Sequence, residues 1–477
     1  MAITSHPLYE NLIELQRLSI EMKREGWLID ESARNAHQQR LSTAREAARL
    51  NFLDLVEESG YEAKGFNVAS SKQISALFYE HFGLRPQKAY LSKTTGLPGV
   101  NKSALQDIIR EESGLFKECA QYLQEYREND KYESTYVGQG YAGEPLAYGL
   151  PVHRADKKVH LNWSPGAAET WRSKGDGQQF PKHVYSAEGK ITRLGVRDQF
   201  IAPEGYTLIE GDYSQQELRK VALYSGCQPL ITELTRPGGD AHALFTRSMF
   251  KIPEAVWDKK KHKGQRDLGK TLVFAILIYG GSCETGWRQV VPKYPKLTVA
   301  WLEQAKENCY LNMPELPAYH LDQVKFAHKR GYTSIPNTPY IIPWRFGPIG
   351  GDAKSGLLLG EGERSEIINK RIQTSCAIMM NAAMLRVARA LYKLSPLIKI
   401  IAQIHDALFV IAPDHLAMQA AKIMKDEMEQ EERYLAMWKM FYPVDIKMGK
   451  RWGTCPWCLA NNGARSSQCD CLQEVKV

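Results

Sequence analysis

The chain has 477 residues, 43% hydrophobic and 24% charged, an ordinary globular composition long enough for several packed subdomains. A net charge of +8 permits a nucleic-acid partner without requiring one. The absence of a signal-peptide pattern, of a bilayer-length apolar run and of a disulfide-scaffold layout excludes a secreted or membrane-spanning reading, so a soluble cytoplasmic protein is expected.

In chain order, Leu8 to Met22 carries apolar residues at helical spacing (Leu8, Leu12, Ile13, Leu15, Leu18, Ile20) and Gly26 to Asp30 ends it. Glu31 to Glu58 predicts a long polar helix. Ser70 or Ser71 caps a further helix holding Ile74, Leu77, Phe78 and Phe82, which stops at Gly83. Ser92 to Pro98 reads as a polar turn, and Gly138 to His153 as a Gly-, Tyr- and Pro-rich connector. Strand-like runs are Thr207–Glu210, Leu397–Ile404 and Leu408–Ile411, separated by long helical stretches. There is no internal repeat, and the alternation predicts an α+β fold whose strands come from distant parts of the chain.

Two aspartates end apolar runs. Asp212 follows Thr207-Leu208-Ile209-Glu210-Gly211, and Asp406 stands between Ile400–Ile404 and Leu408–Val410. Taken singly, Asp212 also reads as a helix N-cap and Asp406 as an ordinary turn residue. As a pair, they are hard oxygen ligands suited to Mg²⁺. Between them, Lys259 to Arg266 is the densest basic run and leads into a helix with Arg266, Lys270 and Phe274 on one face. Two cations there suit a triphosphate, though an amphipathic helix with a basic outer side explains them as well. Tyr279-Gly280-Gly281 ends that helix. At the C-terminus, Cys455, Cys458, Cys469 and Cys471 form a CxxC and a CxC separated by ten residues, a spacing compatible with one tetrahedral Zn²⁺ or with free thiols on an irregular tail.

The order Asp212-Tyr213-Ser214-x-x-Glu217-Leu218-Arg219, then Arg266-x3-Lys270-x3-Phe274 leading to Tyr279-Gly280, then His405-Asp406, resembles the three motifs of family A DNA polymerases, relatives of bacterial DNA polymerase I. Further stretches resemble the family in the same order. They are Val159-His160 to Pro181, Val196 to Pro203, Asn67 to Leu84 with Lys93-Thr94-x-Gly96, Tyr132 to Tyr136, Asn369 with Gln373, and Gly449-x2-Trp452-Gly453. The resemblance covers roughly residues 8 to 453.

The resemblance implies a right-hand fold with an antiparallel palm sheet, helical fingers and a helical thumb. Its division would be 1–135 for the palm base and thumb, 136–225 for the first part of the palm, 226–355 for the fingers, 356–453 for the second part of the palm, and 454–477 for the Cys-rich tail. It implies a template-directed polymerase adding dNTPs to a primer 3′-hydroxyl with two Mg²⁺ ions, Mn²⁺ being a substitute. Asp212, Asp406 and the Tyr213 carbonyl would hold the metals. Arg266 and Lys270 would hold phosphates, and Lys270 would also donate a proton to pyrophosphate. Phe274, Tyr279, Glu217, His242 and Gln215 would line the nucleotide, with Glu217 excluding a 2′-hydroxyl. Arg172, Gln178, Gln373, Asn369, His405, Lys72 and Lys93 would meet primer-template DNA. The expected molecule is a monomer, bacterial or phage-like in setting, with no nuclease domain of its own and with any exonuclease or replication-accessory function in a separate partner. A single-subunit RNA polymerase and a non-catalytic relative of the fold are the alternatives. Four positions depart from the family pattern. One residue is inserted between Phe274 and Tyr279, which predicts displacement of one of the two. Trp171 replaces a glycine, Ala407 replaces an acid, and Ser365 replaces an arginine.

Overall fold

The structure is a computed structural model. It describes residues 7–86, 91, 96, 98–138, 149–182, 184–185, 191–193, 195–291, 293–336, 338, 340–344, 361–430, 439–455, 458 and 469–477. Lys93, most of the 92–98 turn and most of the 138–153 connector lie outside the described residues.

Helix α1 (Pro7–Glu25) buries Leu15, Leu18 and Met22 and is broken by Gly26 at φ 67°. The next residues are not merely a stop. Trp27–Ile29 (β1) forms a strand, because Trp27 and Ile29 alternate into one aromatic cluster while the backbone pairs with Lys158–Val159 and Phe200–Ile201. Asp30 caps α2 (Glu31–Glu58) by accepting from the Ala33 N–H at 3.0 Å. Ser70 caps the helical segment over 71–81, and Lys72 is exposed in its first turn. That segment packs with α2 and α3 (Gly114–Tyr132) around Phe52, Val56, Ile74, Phe78, Leu105 and Leu123, a core separate from the others.

The main sheet is antiparallel and has five strands. Its members are β2 (Tyr206–Tyr213), β3 (Lys399–Ile404), β4 (Ala407–Pro413), β5 (Val444–Gly449) and β6 (Gln473–Glu474), in the order β3-β4-β2-β5-β6. Side chains alternate between its faces. Ile209, Tyr213, Leu408, Val410 and Ile446 join the large core on one face, with α1 and two further helices, α4 (Gln216–Ser225) and α8 (Ala417–Glu429), among its partners. Leu208, Ala407, Phe409 and Ile411 meet Trp27, Phe200 and Trp452 on the other face. Burial of both faces explains why β4 reads as an unbroken apolar run.

Between β2 and β3 the chain is mostly helical. It includes α4, α5 (Ala241–Phe250), α6 (Lys263–Leu272) and the long α7 (Glu361–Leu394). Helix α8 (Ala417–Glu429) lies under β2. A Cβ at Gly211 would meet the methyl of Met424 at 2.7 Å, so glycine one residue before Asp212 lets α8 approach the strand closely. Among the described residues, no helix is long and apolar enough to cross a membrane.

Candidate active site

Asp212 lies inside β2 rather than at a helix cap; the cap of α4 is Gln215, whose φ of 53° turns the chain out of the strand. Asp406 occupies the hairpin between β3 and β4. The strand register sets Ala407 opposite Asp212, and the Tyr213 N–H donates to the Asp406 carbonyl at 3.3 Å. The two acids, 194 positions apart by number (406 − 212), thus meet at one end of adjoining strands. Each keeps some solvent exposure. Burial pushes the Asp212 carboxyl up to about 7, and the charges of Asp406 and then Glu210 add to the effect. Burial likewise raises Asp406, with the nearby Glu217 adding to it.

The hairpin is held from outside. His405 takes a left-handed φ of 57°; the Gln403 amide donates to the His405 carbonyl and accepts from Trp163 Nε1 at 2.8 Å. Gln403 had no distinguishing mark in the sequence beyond being a polar residue in an apolar strand. Asp445 was also missed. It sits directly across from Asp212 on β5, and Lys447 lies across from Glu210 with a 3.0 Å ion pair. Directly opposed residues share a sheet face, so a carboxylate stands beside Asp212 although Ala407 has none.

Helix α6 carries the cations. A Cβ at Gly269 would meet Thr246 Oγ1 at 2.2 Å, so α6 and α5 pack backbone to side chain there. The Arg266 Nε donates to Asp240 Oδ2 at 2.9 Å, while Asp240 also caps α5. Lys270 is exposed; partial burial and the neighbouring Arg266 hold its ammonium below the ordinary lysine value. The His242 ring faces Phe274 at 5.9 Å, and burial pushes its pKa down to about 4, so it is neutral near pH 7. Gln215 is tied to the start of α5, accepting from the Ala241 N–H at 3.0 Å.

The stretch from Phe274 to Tyr279, where the resemblance implies one inserted residue, falls in a wide turn. Helix α6 widens into a π turn over Val273–Ile278, and the Phe274 and Tyr279 rings stay 6.1 Å apart. The Ala275 carbonyl displaced by the wide turn lies where a Cβ on Gly281 would be, at 2.1 Å. Tyr279 donates its hydroxyl to the Glu217 carboxylate, which is also ion-paired with Arg172. Three residues given separate tasks by the sequence therefore form one linked group. Trp171 takes φ 58°, a conformation open to glycine, and packs on Tyr340 with ring centroids 4.8 Å apart.

The remaining residues are more scattered. Gln178 donates to the Ser173 carbonyl at 2.7 Å. Asn369 and Gln373 are half-buried on α7, and the Asn369 carbonyl oxygen has no hydrogen-bond partner among the described residues. Lys72 lies on the α2–α3 subdomain, whose core is separate from those that seat the two aspartates. The four tail cysteines converge at the far edge of the sheet, away from both aspartates in register.

Comparison with known proteins places this geometry. The profile of DNA polymerase family A matches residues 38–454, and the chain belongs to that family. DNA polymerase I of Chloroflexus aurantiacus is 29% identical over 405 residues, covering 84% of this chain and 39% of that protein. The thermostable DNA polymerase I of Thermus thermophilus is 27% identical over 453 residues, covering 93% of this chain and 47% of the relative. The chain thus spans less than half the length of either. The POL domain of Pol1 from M. smegmatis, in complex with DNA primer-template and dNTP, superposes with a TM-score of 0.69 at 20% identity. That match covers 94% of this chain and 70% of the solved one. The fold is therefore the α+β right-hand polymerase fold.

Proposed function

We propose that this protein is a template-directed DNA polymerase that extends a primer 3′-hydroxyl with dNTPs and releases pyrophosphate. The observation carrying the reading is the meeting of Asp212 and Asp406 at one end of neighbouring strands, beside Glu217 and Arg172. Two half-buried carboxylates, Asp212 raised by burial and by the charge of Asp406 and Asp406 raised by burial and by the charge of Glu217, are a donor set that a divalent cation would relieve, and Mg²⁺ fits oxygen ligands of this kind. In this reading Asp212, Asp406 and the Tyr213 carbonyl hold two Mg²⁺ ions, or Mn²⁺ in their place. When bound, such ions make the attacking hydroxyl more acidic and neutralise charge on the leaving oxygen.

The chain's own groups do the positioning. Arg266 exchanges its Asp240 partner for nucleotide phosphate, and Lys270, with a lowered pKa, supplies a second charge and a proton for pyrophosphate. Neutral His242 offers a hydrogen bond to phosphate without adding charge. Phe274 packs on the sugar, Tyr279 stands at the templating base, and Gln215 ties the turn between β2 and α4 to the start of α5 beside the nucleotide. Glu217, held by Arg172 and Tyr279, bars a 2′-hydroxyl. Arg172, Gln178, Asn369, Gln373 and His405 face the primer-template, with Lys72 and Lys93 on the thumb. The segments 136–225 and 356–453 serve as palm, 226–355 as fingers and 1–135 as palm base and thumb. One chain supplies every group named, so the working unit is a monomer.

Primer extension on a primed template with Mg²⁺ tests this reading. Asp212→Ala and Asp406→Ala should each lower extension by about 10³-fold or more while template binding is retained. Robust extension by either variant would end the assignment.

A further inference from the structure

We propose that Cys455, Cys458, Cys469 and Cys471 hold one structural Zn²⁺, which staples the C-terminal segment to the edge of the palm sheet. The four Sγ atoms all lie within 4.8 Å of one another. A tetrahedral Zn²⁺ with Zn–S bonds of about 2.3 Å sets its sulfurs about 3.8 Å apart. Cys458 Sγ is 3.3 Å from that of Cys469 and 3.9 Å from that of Cys471, which brackets this spacing. A disulfide needs about 2.05 Å, and all four cysteines are free.

Thiols that merely fill space sit among aliphatic side chains. Cys227, Cys309 and Cys376 do so in the large core, and Cys119 does so in the α2–α3 core. Among the described residues, the tail cysteines instead cluster only with one another. Two amides point at the sulfurs: the Cys455 N–H meets Cys471 Sγ at 2.9 Å and the Cys458 N–H meets Cys455 Sγ at 3.4 Å. Amide donors of this kind are the outer partners that metal-bound sulfurs accept from.

The staple has something to hold. Strand β6 has only two residues, too few to stay paired unaided. Yet it extends the sheet along β5, and the Val475 N–H donates to the Ile446 carbonyl at 3.0 Å. Cys471 bridges Arg451, and the Lys450 N–H reaches the Asp470 carbonyl at 2.7 Å. A Cβ on Gly449 would meet the Cys471 carbonyl oxygen at 2.5 Å, so the end of β5 is shaped for this close approach. Four protein sulfurs leave no open coordination position, which makes the ion structural rather than catalytic.

The test is metal analysis of the full chain purified reduced and without chelator. The expected result is about one Zn²⁺ per chain and negligible iron. Cys458→Ser and, separately, the less buried Cys469→Ser should each lower retained zinc about tenfold or more. Zinc removal from the unmutated chain should speed amide exchange at Val475 at least about tenfold. A metal-free chain whose tail thiols all react with a thiol reagent in the native state would overturn the proposal. Stoichiometric iron or a disulfide among the four in reduced protein would do the same. If the serine variants do not fold, the unmutated chain alone decides. None of these measurements depends on primer extension, so the zinc site stands or falls apart from the polymerase reading.

Discussion

Lys220 lies on the enclosed side of α4 with no exposed surface, its ammonium 4.6 Å from the centre of the Tyr442 ring. Burial pushes its pKa down from 10.5 to about 7. Between those values the unfolded chain binds a proton at this site that the folded chain has released, so the site's contribution to stability increases as pH rises from about 7 to 10.5. Lys220→Met should remove that cost and raise stability near pH 7 by on the order of 2 kcal/mol. The gain should shrink toward pH 10, as thermal melts across that range would show; a gain that is flat with pH would place the cost elsewhere. Trp171 shows another residue-scale fact hidden from the sequence. Its left-handed backbone suits the glycine that the resemblance implies at this position, and its ring offsets the strain by packing on Tyr340 and Gly166.

The helix α6 and its π turn decide the site at the scale of elements. A one-residue insertion in an α-helix rotates everything beyond it by about 100°. The extra residue implied by the resemblance would be taken up in the π turn at Val273–Ile278, where the small residues Gly281 and Gly286 make room for Ala275 and Ile276. Deleting Ala275 should therefore restore ordinary helical spacing, shift the melting temperature by no more than about 5 °C and keep primer extension within about tenfold. Deleting Thr271, in the regular part of the helix, should turn Arg266 and Lys270 away from Tyr279 and lower extension by about 10²-fold or more. Equal loss in both deletions would mean that the π turn is not what absorbs the insertion.

Across the whole molecule, Arg451 ties together segments that are remote in the chain. Its buried guanidinium reaches Asp30 at 2.8 Å, Asp470 at 3.2 Å and the Asp198 carbonyl, so the cap of α2, the lead into β2 and the tail converge on one side chain. Arg451→Met leaves those carboxylates without their partner and should cost about 3–5 kcal/mol. Lys450→Met, at the exposed pair with Asp414, should cost less than about 1 kcal/mol; denaturant unfolding would separate the two, and similar losses would remove Arg451 from this role. The strands β2, β3 and β4, the helices α1, α2 and α6, and the catalytic-type aspartates could be read from the sequence, because periodicity, glycine stops and residue chemistry are local properties. The meeting of Asp212 with Asp406, the carboxylate of Asp445 alongside, the Trp163–Gln403 bond and the shared Arg172–Glu217–Tyr279 group come from strand register and helix packing. Those contacts join residues tens to hundreds of positions apart, and no local pattern encodes which distant partner a side chain will meet; only the folded chain sets it.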